Sequence, residues 1–129
     1  MKTKGVSHNG EARRLSSLFA GLPGVGAESE HFQLLLEHSG CRFERIVSRG
    51  QTTPLVTEAE NFLFDGWYDQ PNEEWVLLLA GEAELAFDTG AIERLKIGDC
   101  LLIPAHCKHR VSYTATDETT VWLAVFFPS

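Results

Sequence analysis

The chain has 129 residues, 43% of them hydrophobic, and a formal net charge of -7, which is enough apolar material for one core and not for two. The longest uncharged apolar runs, residues 75–80 and 121–127, fall far short of the roughly 20 residues a membrane helix needs, so no membrane role is expected. Residues 1–50 carry seven Lys/Arg against five Asp/Glu, and residues 51–129 carry four against 13; so acidic a body repels phosphate backbones and argues against a nucleic-acid partner.

Lys2 and Lys4 have no apolar run behind them, so the leader does not read as a secretory signal, and a cytoplasmic location is expected. Residues 11–20 place Leu15, Leu18 and Phe19 on one helical face, with Gly21 and Pro23 as a stop. This predicts a short N-terminal helical arm that packs over an open end of the domain. Gly21 to Gly26 reads as a linker, which gives residues 1–26 as arm and linker and residues 27–129 as one domain.

From residue 31 the hydrophobic period changes to two. Phe32, Leu34 and Leu36 alternate with Gln33, Leu35 and Glu37, then His38-Ser39-Gly40 turns the chain and residues 42–48 alternate again. A hairpin is predicted, although Phe32, Leu35 and Leu36 also fit a helix. Further strands are predicted at 62–68, 74–80, 82–87, 92–95, 100–103, 109–113 and 119–127, with turn chemistry at Asp88-Thr89-Gly90 and Gly98-Asp99. About nine short strands with almost no helix between them predict an all-β, antiparallel sandwich or barrel. Cys41, Cys100 and Cys107 are an odd set with no C-x-x-C pair, which reads as buried or reduced thiols.

Two segments concentrate polar chemistry. In Gly66-Trp-Tyr-Asp-Gln-Pro-Asn-Glu-Glu-Trp-Val-Leu-Leu-Leu-Ala-Gly81, oxygen-bearing side chains run straight into an apolar strand. In Gly98-Asp-Cys-Leu-Leu-Ile-Pro-Ala-His-Cys-Lys-His-Arg-Val111, a turn opens a strand, a proline closes it and two histidines follow. Alone, each also reads as a solvated strand start or a hydrogen-bonded loop. Together, on an all-β chain, they resemble the cupin family. Gly98, Pro104 and His109 match the spacing of its second motif, with His106 where glycine is usual and Tyr113 in place of asparagine. Glu74 and Gly81 match the Glu-x6-Gly half of its first. The first motif's two histidines fall on Tyr68 and Gln70, or with the longer spacing on Trp67 and Asp69, so this chain resembles small cupins with a non-histidine first motif. Against that pattern residues 55–65 read as an insertion, an extra edge strand or a lid, with Phe62, Leu63 and Phe64 inside it.

The resemblance implies a jelly-roll barrel and a candidate divalent-metal site of Gln70, Glu74 and His109. Asp69 competes with Gln70, because Pro71 cannot donate to a ladder and a bulge there would re-aim the side chain. The metal would be Fe, Mn, Zn or Ni; a metal-free polar pocket is the alternative. Cupins use such sites for oxygenation, isomerisation and decarboxylation. The implied function is therefore binding of, or action on, a small oxygen-rich metabolite, with a non-catalytic sensor as the alternative. His106 is the candidate catalytic proton donor or base, or else a turn histidine bonded to backbone. Trp67, Tyr68, Phe87 and Tyr113 are candidate pocket residues, as is Trp122, with core packing as the competing role. Trp75 has opposite parity to Glu74 and belongs outside. Unpaired sheet edges lead to an expected homodimer.

Overall fold

The computed structural model describes residues 10–23, 30–53 and 66–129. Eight strands form two antiparallel sheets: β1 (His31–His38), β2 (Cys41–Ser48), β3 (Glu74–Ala80), β4 (Glu82–Phe87), β5 (Ile92–Lys96), β6 (Cys100–Ile103), β7 (His109–Thr114) and β8 (Thr120–Phe126). The larger sheet runs β1-β2-β8-β3-β6 and the smaller β5-β4-β7. The fold is the all-β sandwich the alternation predicts. Strand bounds agree to within a residue at most ends because each is flanked by turn chemistry. The 31–48 segment is a hairpin rather than a helix, turned at Ser39 and Gly40, both at positive φ, the geometry that matches strand twist.

Core side chains come from both sheets: Val76, Leu78, Ile103, Trp122, Ala124 and Phe126 from the larger, Ala83, Leu85 and Leu95 from the smaller. Along β2 and β8 the pairs Arg42/Phe126, Glu44/Ala124 and Ile46/Trp122 share the inner face, and Glu74, Val76 and Leu78 of β3 continue the same rows. This inner face, polar at one end and apolar in the middle, positions the site. Trp75 is half-buried on the opposite parity, outside the core cluster.

Three expectations need correction or lie elsewhere. Residues 11–20 form no helix: they run irregularly into a turn at residues 18–21, with Leu15 and Phe19 about half exposed. Ten residues are too few to hold a helix without a packed face; the turn that ends the segment is instead held by Arg45, whose Nη1 donates to Ala20 O at 2.6 Å and Leu18 O at 3.3 Å. Cys100 is exposed rather than buried, and all three cysteines are free thiols. The strand predicted at 62–68 and the lid or edge strand at 55–65 fall mostly outside the described residues, as do residues 24–26 of the linker; of that strand, Tyr68 forms an isolated bridge with His109.

Arg45, only 3% exposed, is thus the arm's anchor. Arg45→Met keeps the aliphatic stem and removes the donors. The expected result is a loss of about 1–3 kcal/mol, the cost of a charged hydrogen bond deleted from a buried site, with faster tryptic cleavage at Arg13 and Arg14. Unchanged cleavage and unchanged stability would mean the arm is held by other groups.

Candidate functional site

The segment before β3 and the loop before β7 build the site. The backbone N–H of Tyr68 donates to His109 O at 2.8 Å and that of His109 to Tyr68 O at 3.1 Å, while His106 N–H donates to Gln70 O at 2.8 Å. The segment before β3 is therefore stitched to the start of β7. On the far side of that segment Asn72 Nδ2 donates to Phe127 O at 2.6 Å. Pro71 sits between these two anchors, where the chain has no ladder to donate to.

This stitching turns Gln70 and Glu74 inward to meet His109. Gln70 Nε2 donates to Glu74 Oε1 at 2.7 Å, and His109 Nε2 lies 3.6 Å from the same oxygen, with both ionisable side chains more than nine-tenths buried. His109 Nδ1 meets Cys107 O at 2.8 Å; a carbonyl only accepts, so Nδ1 carries a proton and Nε2 is the nitrogen offered to the carboxylate. Burial on its own would lower the imidazole's pKa. The Glu74 carboxylate and the Cys107 carbonyl outweigh burial and hold it above the ordinary histidine value. The rings of Tyr68 and Phe87 flank it at 5.9 and 6.2 Å between centroids.

These residues form the polar part of a cavity of ≈ 170 Å³ between the sheets. Its walls are largely apolar, with Ile46, Val76, Leu85, Val111, Trp122 and Phe126, and its lining also includes Glu30, Phe32, Glu44 and Tyr68. Glu30 accepts a hydrogen bond from Ser48 Oγ at 2.7 Å; burial pushes its carboxyl above the usual range, and the Ser48 bond only partly offsets this. Tyr68 keeps its proton to higher pH than an ordinary phenol, first through burial and then through the nearby charge of Glu30, with a Thr53 bond opposing and Glu74 adding.

Other candidate residues are placed elsewhere. Asp69 Oδ1 meets His106 Nδ1 at 2.8 Å, with side-chain exposures of 41% and 69%, so neither faces the cavity: Gln70, not Asp69, occupies the inward position, and His106 is a surface turn residue at φ 58°. Tyr113 also departs. The β4–β7 register slips between Glu84 and Leu85, with Ser112 as the extra residue. A bulge inverts parity beyond it, so Val111 faces in while Tyr113 faces out under the Arg94 guanidinium, 4.6 Å from the ring centroid. Phe87 backs the His109 ring without lining the cavity, and Trp67 is half-buried outside the lining. Sequence reasoning missed Glu30, Phe32, Glu44 and Phe126. Glu44 was legible from its shared parity with Ile46; Glu30 precedes β1 and carried no periodic signal.

The donors present fit a metal only as an open, three-donor arrangement. They comprise the Glu74 carboxylate, His109 Nε2 with its other nitrogen anchored on a carbonyl as metal-ligating imidazoles are, and the Gln70 amide. No group of three or more His, Cys, Asp and Glu side chains converges among the described residues.

Residues 63–126 match the family model of the Cupin domain. The chain is 42% identical to a "putative mannose-6-phosphate isomerase" from Ralstonia eutropha JMP134, over 91% of this chain and 100% of that one, with a TM-score of 0.76. At 18% identity it shares the fold of an RmlC-like cupin from Desulfovibrio desulfuricans, over 91% and 100% of the two chains with a TM-score of 0.63. The same holds for an RmlC-like cupin from Shewanella frigidimarina, over 82% and 79% with a TM-score of 0.59. No curated protein matches. No helix among the described residues is long and apolar enough to cross a membrane.

Proposed function

The chain belongs to the cupin superfamily, and on that premise we propose that it binds a small organic molecule in the cavity between its sheets, with the ligand's polar group at Gln70, Glu74 and His109. The observation that carries this reading is the buried Glu74–His109 pair in the lining of a cavity between the sheets. Burying two ionisable groups costs several kcal/mol, a penalty that apolar residues would avoid in a purely structural barrel. The residues themselves can hold a proton at His109 Nε2 against Glu74 Oε1, orient that carboxylate through Gln70, and exclude water with Trp122, Phe126 and Leu85. A ligand group that accepts or donates a proton would meet an acid–base pair already aligned.

A divalent ion held by Gln70, Glu74 and His109 is the second reading, favoured by the anchoring of His109 Nδ1. Bound there, it would supply Lewis-acid polarisation of a ligand oxygen. A phosphorylated sugar, as in the description of the Ralstonia relative, gains no support from this lining, whose only basic side chain among the described residues is already paired. The homodimer is kept as part of the reading, through β1, the end strand of the larger sheet, where Phe32 and Leu34 are about half exposed.

Metal analysis of protein purified without chelator, repeated on Glu74→Ala and His109→Ala, tests the ion. Near-stoichiometric metal lost in both variants supports it, and equal content in all three removes it. A thermal-shift screen of small molecules tests the pocket. Ligands that raise Tm by mass action are expected to bind about tenfold more weakly to His109→Ala, the loss of one charged hydrogen bond; a screen without a single hit removes the pocket reading.

A further inference from the structure

The charges that line the cavity are unevenly neutralised. Three lining residues are glutamates and one, His109, is basic. Glu44 is paired with Arg42 at 2.7 Å, whose guanidinium also lies 4.3 Å from the centre of the Phe126 ring. Glu74 is paired with His109. Glu30 differs from both: its polar contact is the Ser48 hydroxyl, and among the described residues no Lys, Arg or His forms an ion pair with it.

Glu30 is not remote from the rest of the site. Its charge and that of Glu74 both act on the Tyr68 phenol, so the two carboxylates flank one space. Around that space stand the aromatic side chains of Phe32, Tyr68, Trp122 and Phe126, whose ring faces carry the negative end of a quadrupole and attract cations. Carboxylate and aromatic walls therefore act in the same direction. An anionic ligand entering here would meet Glu30, whose charge no ion pair among the described residues offsets. A cation would meet at Glu30 a half-buried carboxylate whose polar partner is a hydroxyl, and would supply the counter-charge such a group most needs.

We propose that the ligand of this cavity carries a fixed positive charge, as a small organic ammonium does, and that Glu30 is the residue that selects it. The inference rests on the pocket reading above and adds the chemical class of the ligand. Size limits that class further: ≈ 170 Å³ is well below the roughly 300–1,000 Å³ of pockets that hold drug-sized molecules, so the ligand has few heavy atoms. Burial raises the pKa of Glu30, and the Ser48 bond offsets this only in part.

The test is a calorimetric titration of the protein as purified, and of Glu30→Gln, with three probes: choline, its uncharged carbon isostere 3,3-dimethylbutanol, and glycerol phosphate. Choline is expected to bind about tenfold more tightly than the isostere, the scale of a desolvated cation held by aromatic faces. Glu30→Gln is expected to abolish that preference and leave the isostere's affinity unchanged. The isostere arm also reports that the variant is folded and its cavity intact. Equal binding of choline and the isostere, a preference that survives in Glu30→Gln, or tighter binding of glycerol phosphate overturns the charge inference while leaving the pocket in place. Failure of all three probes to bind overturns both.

Discussion

Gly81→Ala is expected to lose at least about 4 kcal/mol of stability, the upper end of single-substitution effects, and to leave little folded protein. Gly81 joins β3 to β4 at φ +84°, and a Cβ placed there would lie 2.2 Å from Thr120 Oγ1, 2.6 Å from Thr120 Cα and 2.8 Å from Thr120 Cβ. The clash with the Thr120 backbone is the decisive one, since rotating a hydroxyl cannot relieve it. Thr120 is fully buried in β8, the strand that holds β2 and β3 together, and its Oγ1 accepts from Glu82 N–H at 3.3 Å. Giving way would mean moving the central strand. Gly90 supplies the control: it has φ +97° but nothing within 4 Å of a built Cβ, so Gly90→Ala carries only the backbone cost of about 1–2 kcal/mol. Urea denaturation followed by tryptophan fluorescence measures both. Similar losses for the two variants would show that crowding by Thr120 is not what requires glycine at position 81.

The second large effect is expected at Glu74 and depends on pH. His109 in the folded protein keeps its proton above the ordinary value of about 6.5. A group whose folded pKa is raised contributes its full stabilisation below its unfolded pKa and loses it as pH rises through the folded one. Glu74→Ala removes the larger raising influence and leaves burial, which favours the neutral ring. The folded pKa then falls below the unfolded value, and the variant is penalised on the acid side. Parent and variant should therefore differ by about 3 kcal/mol near pH 5.5, the lower end for breaking a buried pair. That end applies because the ring can shed its proton. The gap should narrow towards pH 9, where both rings are neutral. Denaturation curves across that range, with the His109 ring proton followed by NMR, measure it. A gap that stays constant with pH would mean the pair is not an ion pair in solution.

Gly81 and Glu74 were both legible in the sequence, one as the glycine that ends an apolar strand and the other as the carboxylate that begins it. The meeting of Glu74 with His109 followed from two motif spacings read together rather than from either alone. Parity placed Trp75 outside, because side-chain alternation is a local property of extended backbone. It failed at Tyr113 because a single extra residue at Ser112 inverts the alternation, and nothing in the residues 109–114 themselves marks the bulge.

By itself, then, the sequence determined what short-range physics controls: the strands, from alternation bounded by turn residues, and the turns at Gly40, Gly81 and Gly98. The tertiary structure decided what depends on partners distant in the chain. Arg45 bonded the carbonyls at residues 18 and 20 and fixed the turn at the end of the arm. The stitching of Gln70 to His106 turned Gln70 inward and Asp69 to solvent. Sheet curvature brought Glu30 and Glu44 to the wall of the same cavity. Each of these outcomes is settled by which groups reach one another across 20 residues or more, and periodicity within a strand carries no record of that.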